Sequence, residues 1–283
     1  MIRLDAATVL LQWSVGGLFF LWVTTRRREV GLGYGWLMRG VYGLMAVGSI
    51  LVAARIGVVW VREVAAAATV VATTVALVVS VQRRGAGVAG QRERVERRSA
   101  RVAAMTGIDR DEQVFDRDAP EFPPVLDLVP VAFGLVGLVA AGIDAGSPAW
   151  LAVARTLVGA ALLGAVSDAM LLGHWYLVQP GLARGPLLEL VRLTTWVLPF
   201  SVAVMLIPTG MVSVLNGTID DGYGGILGWT WVVCAVTTLG LLLTTRAALK
   251  ERQYSAVMAA TGLLYLAILT AFGTDLVARA LLA

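Results

Sequence analysis

The chain has 283 residues, 58% of them hydrophobic and 15% charged, with mean hydropathy +0.79 and formal net charge +4. A soluble domain carries roughly 25% charged residues, and its buried helices keep a polar stripe; only a hydrocarbon layer of about 30 Å demands unbroken apolar runs of about 20 residues. The composition excludes a soluble globular protein, and because the basic residues sit at the ends of the apolar runs, where lipid headgroups lie, it also excludes nucleic acid as a partner.

The first apolar run, 6–24, has no basic segment ahead of it and stops at Arg26-Arg27-Arg28, so it reads as a membrane span and not as a cleaved signal. Spans are expected next at 37–57 and 64–82. The hydrophilic segment 83–124 then separates a three-span region, 1–82, from a five-span region, 125–283. From Arg83 to Arg101 this segment holds seven Arg and two Glu, and from Asp109 to Glu121 it turns acidic. Its stretch Gln91–Met105 reads as a short surface helix with its basic residues toward anionic headgroups. Asp-Ala-Pro-Glu-Phe-Pro-Pro, 118–124, breaks the helix before the next span. The remaining spans are expected at 125–143, 149–178, 186–215, 225–245 and 255–280. The fold class is therefore all-α, a polytopic membrane protein of eight transmembrane helices.

Connections after spans 1, 3, 5 and 7 carry sixteen Arg and Lys, against four (Arg3, Arg55, Arg62, Arg279) on the other side. By the positive-inside rule both termini lie outside the cytoplasm of a bacterial plasma membrane and the 83–124 loop lies inside. A shift of 153 residues superposes Leu10 on Leu163, Ser14 on Ser167, Leu18 on Leu171, Trp22 on Trp175 and Arg39 on Arg192. A repeat of four spans produces two parallel halves about an axis along the membrane normal.

Charged groups at membrane depth are costly and therefore the first functional candidates. Span 5 carries Asp168, His174 and Tyr176 near its cytoplasmic end, and span 6 starts on the same side with Glu189 and Arg192. With Arg39 as a sixth member, these side chains are expected to converge on one inner-leaflet ligand pocket. Asp168 with Arg192 is the alternative, a buried ion pair fixing register. The repeat mates of Asp168, His174 and Glu189 are Val15, Leu21 and Trp36, so the ionisable set belongs to the second half alone. Arg155 and Asp275, at similar depth in spans 5 and 8, are expected to form a structural ion pair. Asp127 opens span 4 as a cap. Pro199 and Pro208 break or kink span 6.

One histidine cannot provide the two ligands of a bis-histidine haem, and the only lysine, Lys250, lies in a loop, which excludes a retinal Schiff base. One cysteine, Cys234, makes no internal disulfide. No motif for a metal, a nucleotide or a serine nucleophile is present, so neither a metal nor a covalently bound cofactor is expected. The expectation for function is a membrane subunit of a respiratory or redox complex. It would bind a quinone or conduct protons at the inner-leaflet cluster, touch membrane lipids and dock partner subunits on the 83–124 loop. The alternatives are a secondary transporter working through the Pro-broken span and a non-catalytic scaffold.

Overall fold

A computed structural model describes residues 5–106, 115, 116, 118–179 and 181–283, with the side chains of 98–106 left aside. Most of the acidic part of the 83–124 segment thus lies outside the described residues. Among the described residues there are ten α-helices and no strand: α1 Ala6–Thr25, α2 Leu32–Ile56, α3 Trp60–Gln82, α4 Ala89–Thr106, α5 Leu128–Asp144, α6 Ala149–Val178, α7 Gly185–Leu206, α8 Met211–Leu215, α9 Ile226–Ala248 and α10 Tyr254–Leu281. Eight of these are long and apolar enough to cross a membrane, the exceptions being α4 and α8. This is a multi-pass membrane protein whose outer helix faces contact lipid.

The side-chain pattern is that of a bilayer-embedded bundle. Large apolar residues such as Leu44, Leu51, Val71, Phe133, Trp196, Phe200, Trp229 and Leu269 point outward. Where lipid is as apolar as leucine, close packing and not hydrophobic exclusion drives helix association, which favours small residues and hydroxyls at the contacts. Thr69, Thr73, Thr156, Thr194, Thr245 and Thr261 are buried, and each donates its hydroxyl to the carbonyl four residues earlier in its own helix. None of them therefore leaves a hydroxyl proton unpaired in the apolar interior.

The helices form two rings of four. In the first, α1 packs on α2, α2 on α3, α3 on α5 and α5 on α1; in the second, α6 packs on α7, α7 on α9, α9 on α10 and α10 on α6. The order of neighbours is the same in both, and the first helices of the two rings, α1 and α6, pack against each other. This is the arrangement of two parallel halves. At the α1–α6 crossing the backbones touch: a Cβ on Gly16 would lie 1.9 Å from the carbonyl oxygen of Ala160, and one on Gly164 would lie 2.1 Å from the carbonyl carbon of Gly16. No side chain other than hydrogen fits there.

Two departures from the expected spans have physical causes. Span 6 ends at Leu206, nine residues early, because Pro208 bars Ile207 from helical dihedrals; Met211–Leu215 forms a separate short helix. Pro199, by contrast, is carried inside α7. Span 1 starts sharply because Asp5 caps it, accepting from Ala7 N at 3.1 Å, Thr8 N at 3.3 Å and the Thr8 hydroxyl at 2.6 Å. The expected surface helix is α4. Its start is tied to the bundle by Gly90 N to Arg28 O at 3.0 Å and by an Arg92–Glu121 ion pair at 2.5 Å.

The bundle has an Arg-rich end, carrying Arg26–Arg28, Arg83, Arg84, Arg92 and Arg184, and an opposite end carrying Asp5, Arg62, Glu63, Asp144 and Asp221. On α6 the opposite end is at Ala149 and the Arg-rich end at Val178.

Candidate functional site

Asp168 is the centre of the strongest candidate. It is fully buried on α6, half-way along the bundle toward the Arg-rich end. The Tyr42 hydroxyl donates to its Oδ1 at 2.8 Å, and Tyr34 reaches the same oxygen at 3.4 Å. Its other oxygen, Oδ2, is buried with no hydrogen-bond partner. Both tyrosines come from α2, in the other half of the molecule. They belong to the inward stripe Tyr34, Met38, Tyr42 and Ala46, spaced four apart. The Tyr42 ring reaches Asp168 by passing over Gly17 of α1: a Cβ at Gly17 would stand 2.1 Å from Tyr42 Cζ. Nearby, Ser14 donates to Tyr42 O at 2.7 Å and Trp13 Nε1 to the Ser167 hydroxyl at 2.8 Å. The buried carboxyl is thus shared between halves, with first-half residues as its partners.

The other expected members of this pocket lie elsewhere. Arg39 is committed to Asp127 in a buried two-pronged ion pair, Nε to Oδ1 at 2.7 Å and Nη2 to Oδ2 at 2.8 Å. It also reaches Ser80 at 3.3 Å and lies 4.3 Å over the Phe122 ring. Asp127 makes no cap hydrogen bond from its side chain; Arg39 is its partner. Glu189 binds Arg26 at 2.6 Å and Arg27 at 3.2 Å at the Arg-rich end. These two arginines are 36% and 49% exposed, so each contact contributes about 1 kcal/mol or less. Tyr176 donates to Ala183 O at 2.5 Å and ties off the α6–α7 turn. His174 is exposed and meets the Tyr265 hydroxyl of α10 at 3.1 Å through Nδ1. Arg192 is exposed, so the Asp168–Arg192 pair does not form. The six residues expected in one pocket thus lie in six separate environments. Helices of known depth but unknown rotation cannot be assigned to a common pocket.

The expected Arg155–Asp275 pair is likewise replaced. Asp275 Oδ2 accepts from Arg279 Nε at 2.6 Å, one turn away on α10. Arg155 is buried and donates to the carbonyls of Val204 (3.2 Å), Ile207 (2.8 Å) and Thr209 (3.1 Å). It satisfies the carbonyls freed where Pro208 ends α7, a structural role the proline itself creates. Asp275 Oδ1 and Gln12 Oε1 are buried without partners; a Cβ on Gly159 would meet Asp275 Oδ1 at 2.7 Å and Gln12 Nε2 at 2.9 Å, and Gln12 Nε2 donates to Thr156 O at 2.5 Å. Gly159 precedes Asp168 by nine residues, about 14 Å along the helix. Between these two polar layers lies the sealed Gly16–Gly164 crossing.

Further toward the Arg-rich end is a cavity of about 400 Å³ walled by Trp36, Trp175, Gln179, Gln91, Arg84 and Phe115. Trp175 Nε1 and Gln179 Oε1 are buried polar atoms without partners. The Trp175 ring packs against the Tyr34 ring, centroids 5.9 Å apart, and touches the backbone position of Gly33. Trp175 and Tyr34 therefore connect the cavity wall to Asp168.

The chain matches no protein-family model, no curated protein and no solved structure. Among the described residues, no group of three or more His, Cys, Asp or Glu is placed to hold a metal ion.

Sequence reasoning found Asp168 but missed Tyr34, Tyr42, Trp36 and Gln179. The four-residue spacing of Tyr34, Met38 and Tyr42 was a readable signal for an inward stripe on α2. The pairing with a helix 126 to 134 residues away was not.

Proposed function

We propose that this protein is the membrane subunit of a redox complex, binding the headgroup of a quinone in the Trp36–Trp175 cavity and exchanging a proton with Asp168 through Tyr34. The observation that carries the reading is the pairing of that aromatic-walled cavity with the buried Asp168 carboxyl, which its wall reaches through Trp175 and Tyr34. Two residues of the cavity wall carry buried polar atoms without partners, the donor Trp175 Nε1 and the acceptor Gln179 Oε1, the pair of functions that a quinone carbonyl and a quinol hydroxyl require. Its volume of about 400 Å³ suits a ring of that size. A quinol that gives two electrons to a redox centre on a partner subunit must also shed two protons, and the Tyr34–Asp168 pair supplies a place for one of them. In this reading the membrane is a bacterial plasma membrane, the Arg-rich end faces the cytoplasm, both termini lie outside it, and the 83–124 segment is where partners dock.

The test is binding of a short-tailed benzoquinone to the purified protein, followed by tryptophan fluorescence. Trp175→Phe with Gln179→Ala is expected to weaken binding at least tenfold, the loss of two hydrogen bonds at about 1 kcal/mol each. Unchanged binding in that double variant refutes the reading. Asp168→Asn is expected to bind quinone but to abolish proton release on quinol oxidation by the native complex.

A second reading, a proton-coupled permease, draws on the buried Asp275 layer on the far side of the α1–α6 crossing and on the break after Leu206 in α7. It predicts solute-driven acidification or alkalinisation in liposomes that Asp168→Asn abolishes.

A further inference from the structure

Of the seven arginines named at the Arg-rich end, six are engaged within the protein. Arg26 and Arg27 meet Glu189, and Arg28 and Arg92 meet Glu121. Arg83 donates to Glu121 O, and Arg184 to the carbonyls of Leu249 and Gln253. Arg84 is the seventh. It is exposed, and among the described residues no carboxylate or carbonyl accepts from its guanidinium. Its place is the wall of the cavity at Trp175.

The local chain holds it there. Arg84 lies in a single 3-10 turn, Arg83–Ala86, that follows α3. Gly87 ends this turn at φ +61°, and a Cβ on it would lie 2.6 Å from the Phe115 ring. Asp116 N donates to Gly85 O at 3.0 Å, so Arg84 and Phe115 are fixed in one wall. The acidic groups on this stretch are engaged elsewhere. Asp116 Oδ1 accepts from Asp118 N at 3.0 Å and from Ala119 N at 3.2 Å, and Glu121 holds Arg28 and Arg92. Nine residues line the cavity, with Arg84 their one cation and no carboxylate among them. Trp36, Phe115 and Trp175 supply flat apolar surface. An aromatic-walled cavity with one uncompensated guanidinium favours a flat ligand bearing a negative oxygen, because a hydrogen bond between two charged groups is stronger than one between neutral groups.

We propose that Arg84 selects, among ring ligands of this cavity, those that carry an ionised oxygen: the anion of a hydroxyquinone, with its oxygen on the guanidinium and its ring among the aromatic walls. The inference rests on the quinone reading and adds to it the charge state of the ligand.

The test compares 2-hydroxy-1,4-naphthoquinone, a vinylogous carboxylic acid ionised at neutral pH, with its neutral methyl ether. Both are titrated by tryptophan quenching into the purified full chain in phosphatidylcholine nanodiscs. The ratio of wild-type to Arg84→Gln affinity is taken for each probe, which cancels their different partition into lipid. For the anion this ratio is expected to be about threefold or more, as for one exposed charged contact, and to shrink as salt is raised. For the ether it is expected to stay near one. Arg84→Lys, which keeps the charge, should retain part of the anion's advantage. The visible band of the bound anion should also persist to lower pH in wild type than in Arg84→Gln, by about 0.5 pH unit for a threefold ratio. Thermal unfolding of Arg84→Gln should match wild type, since the site is exposed. Equal ratios for the two probes, with both still weakened by Trp175→Phe with Gln179→Ala, overturn this proposal and leave the quinone reading standing. Binding of neither probe, or binding indifferent to that double variant, overturns both.

Discussion

Gly17→Ala tests whether the two halves of the molecule are held together through Asp168. The added methyl would lie 2.1, 2.2 and 2.5 Å from Cζ, Cε1 and Cε2 of Tyr42. Ordinary contact starts at 3.4 Å, so the ring must move by 1.3 Å or more at its hydroxyl end. That end is where Tyr42 donates to Asp168 at 2.8 Å, and a displacement of that size breaks the bond. Overpacking costs about 1–3 kcal/mol, and a lost hydrogen bond about 0.5–1.5 kcal/mol; together the substitution should destabilise by about 2–4 kcal/mol. The control is Gly40→Ala, on α2, where a methyl meets nothing within 4 Å; it should gain about 0.5–1 kcal/mol from helix propensity. Thermal unfolding in a single detergent, read by circular dichroism, compares the two. Gly17→Ala with Tyr42→Leu should recover the overpacking part, since the ring is gone. If Gly17→Ala unfolds with wild type, Tyr42 is not held over Gly17 and the cross-half bond to Asp168 is wrong.

Arg39→Leu and Asp127→Leu should each cost about 3–5 kcal/mol by stranding a buried charge, while the double substitution should recover most of the loss; a double variant as unstable as the sum refutes the pair. Asp168→Asn should fold normally, because the amide oxygen still accepts from Tyr42, and any large drop in unfolding temperature speaks against that geometry. Burial pushes the Asp5 carboxyl up, but hydrogen bonding from Thr8 and the charge of Arg62 hold its folded pKa below its unfolded one, so its contribution is present at neutral pH and lost as pH falls through the folded value. The gap between wild type and Asp5→Asn in unfolding experiments should accordingly be constant at neutral pH and close only in acid. A gap that widens on acidification contradicts the Arg62 and Thr8 contacts. His174→Ala, at an exposed site, should stay within about 0.5 kcal/mol of wild type.

The eight spans were legible because hydropathy is a sum over some 20 residues and survives local exceptions. Depth was legible too: Asp168, Glu189 and Arg39 do lie toward the Arg-rich end. Rotation was not. Arg155 and Asp275 share a depth, yet α6 turns Arg155 to the broken end of α7 while Asp275 faces Arg279. The four-residue spacing of Asp275 and Arg279 was the better clue, since such pairs face each other on any helix. The interaction of α2 tyrosines with α6 needed the bulk of α1 to be absent at Gly17, and a glycine reports only that something comes close, not what. The end of α7 at Pro208 was partly legible; that a buried arginine would serve the freed carbonyls was not.

The Gly16–Gly164 contact makes the α1–α6 crossing a fulcrum. Both glycines sit near the middle of their helices, and each bilayer face lies about 15 Å from the midplane, so a rocking of about 10° between rigid halves would carry the two faces some 2.6 Å in opposite directions. Along either flank of the crossing, such a rotation opens the seam at one end as it closes it at the other. The cavity at Trp175 and the space between Trp13 and Leu276 at the opposite end would then be mechanically linked through a point where neither helix has a side chain.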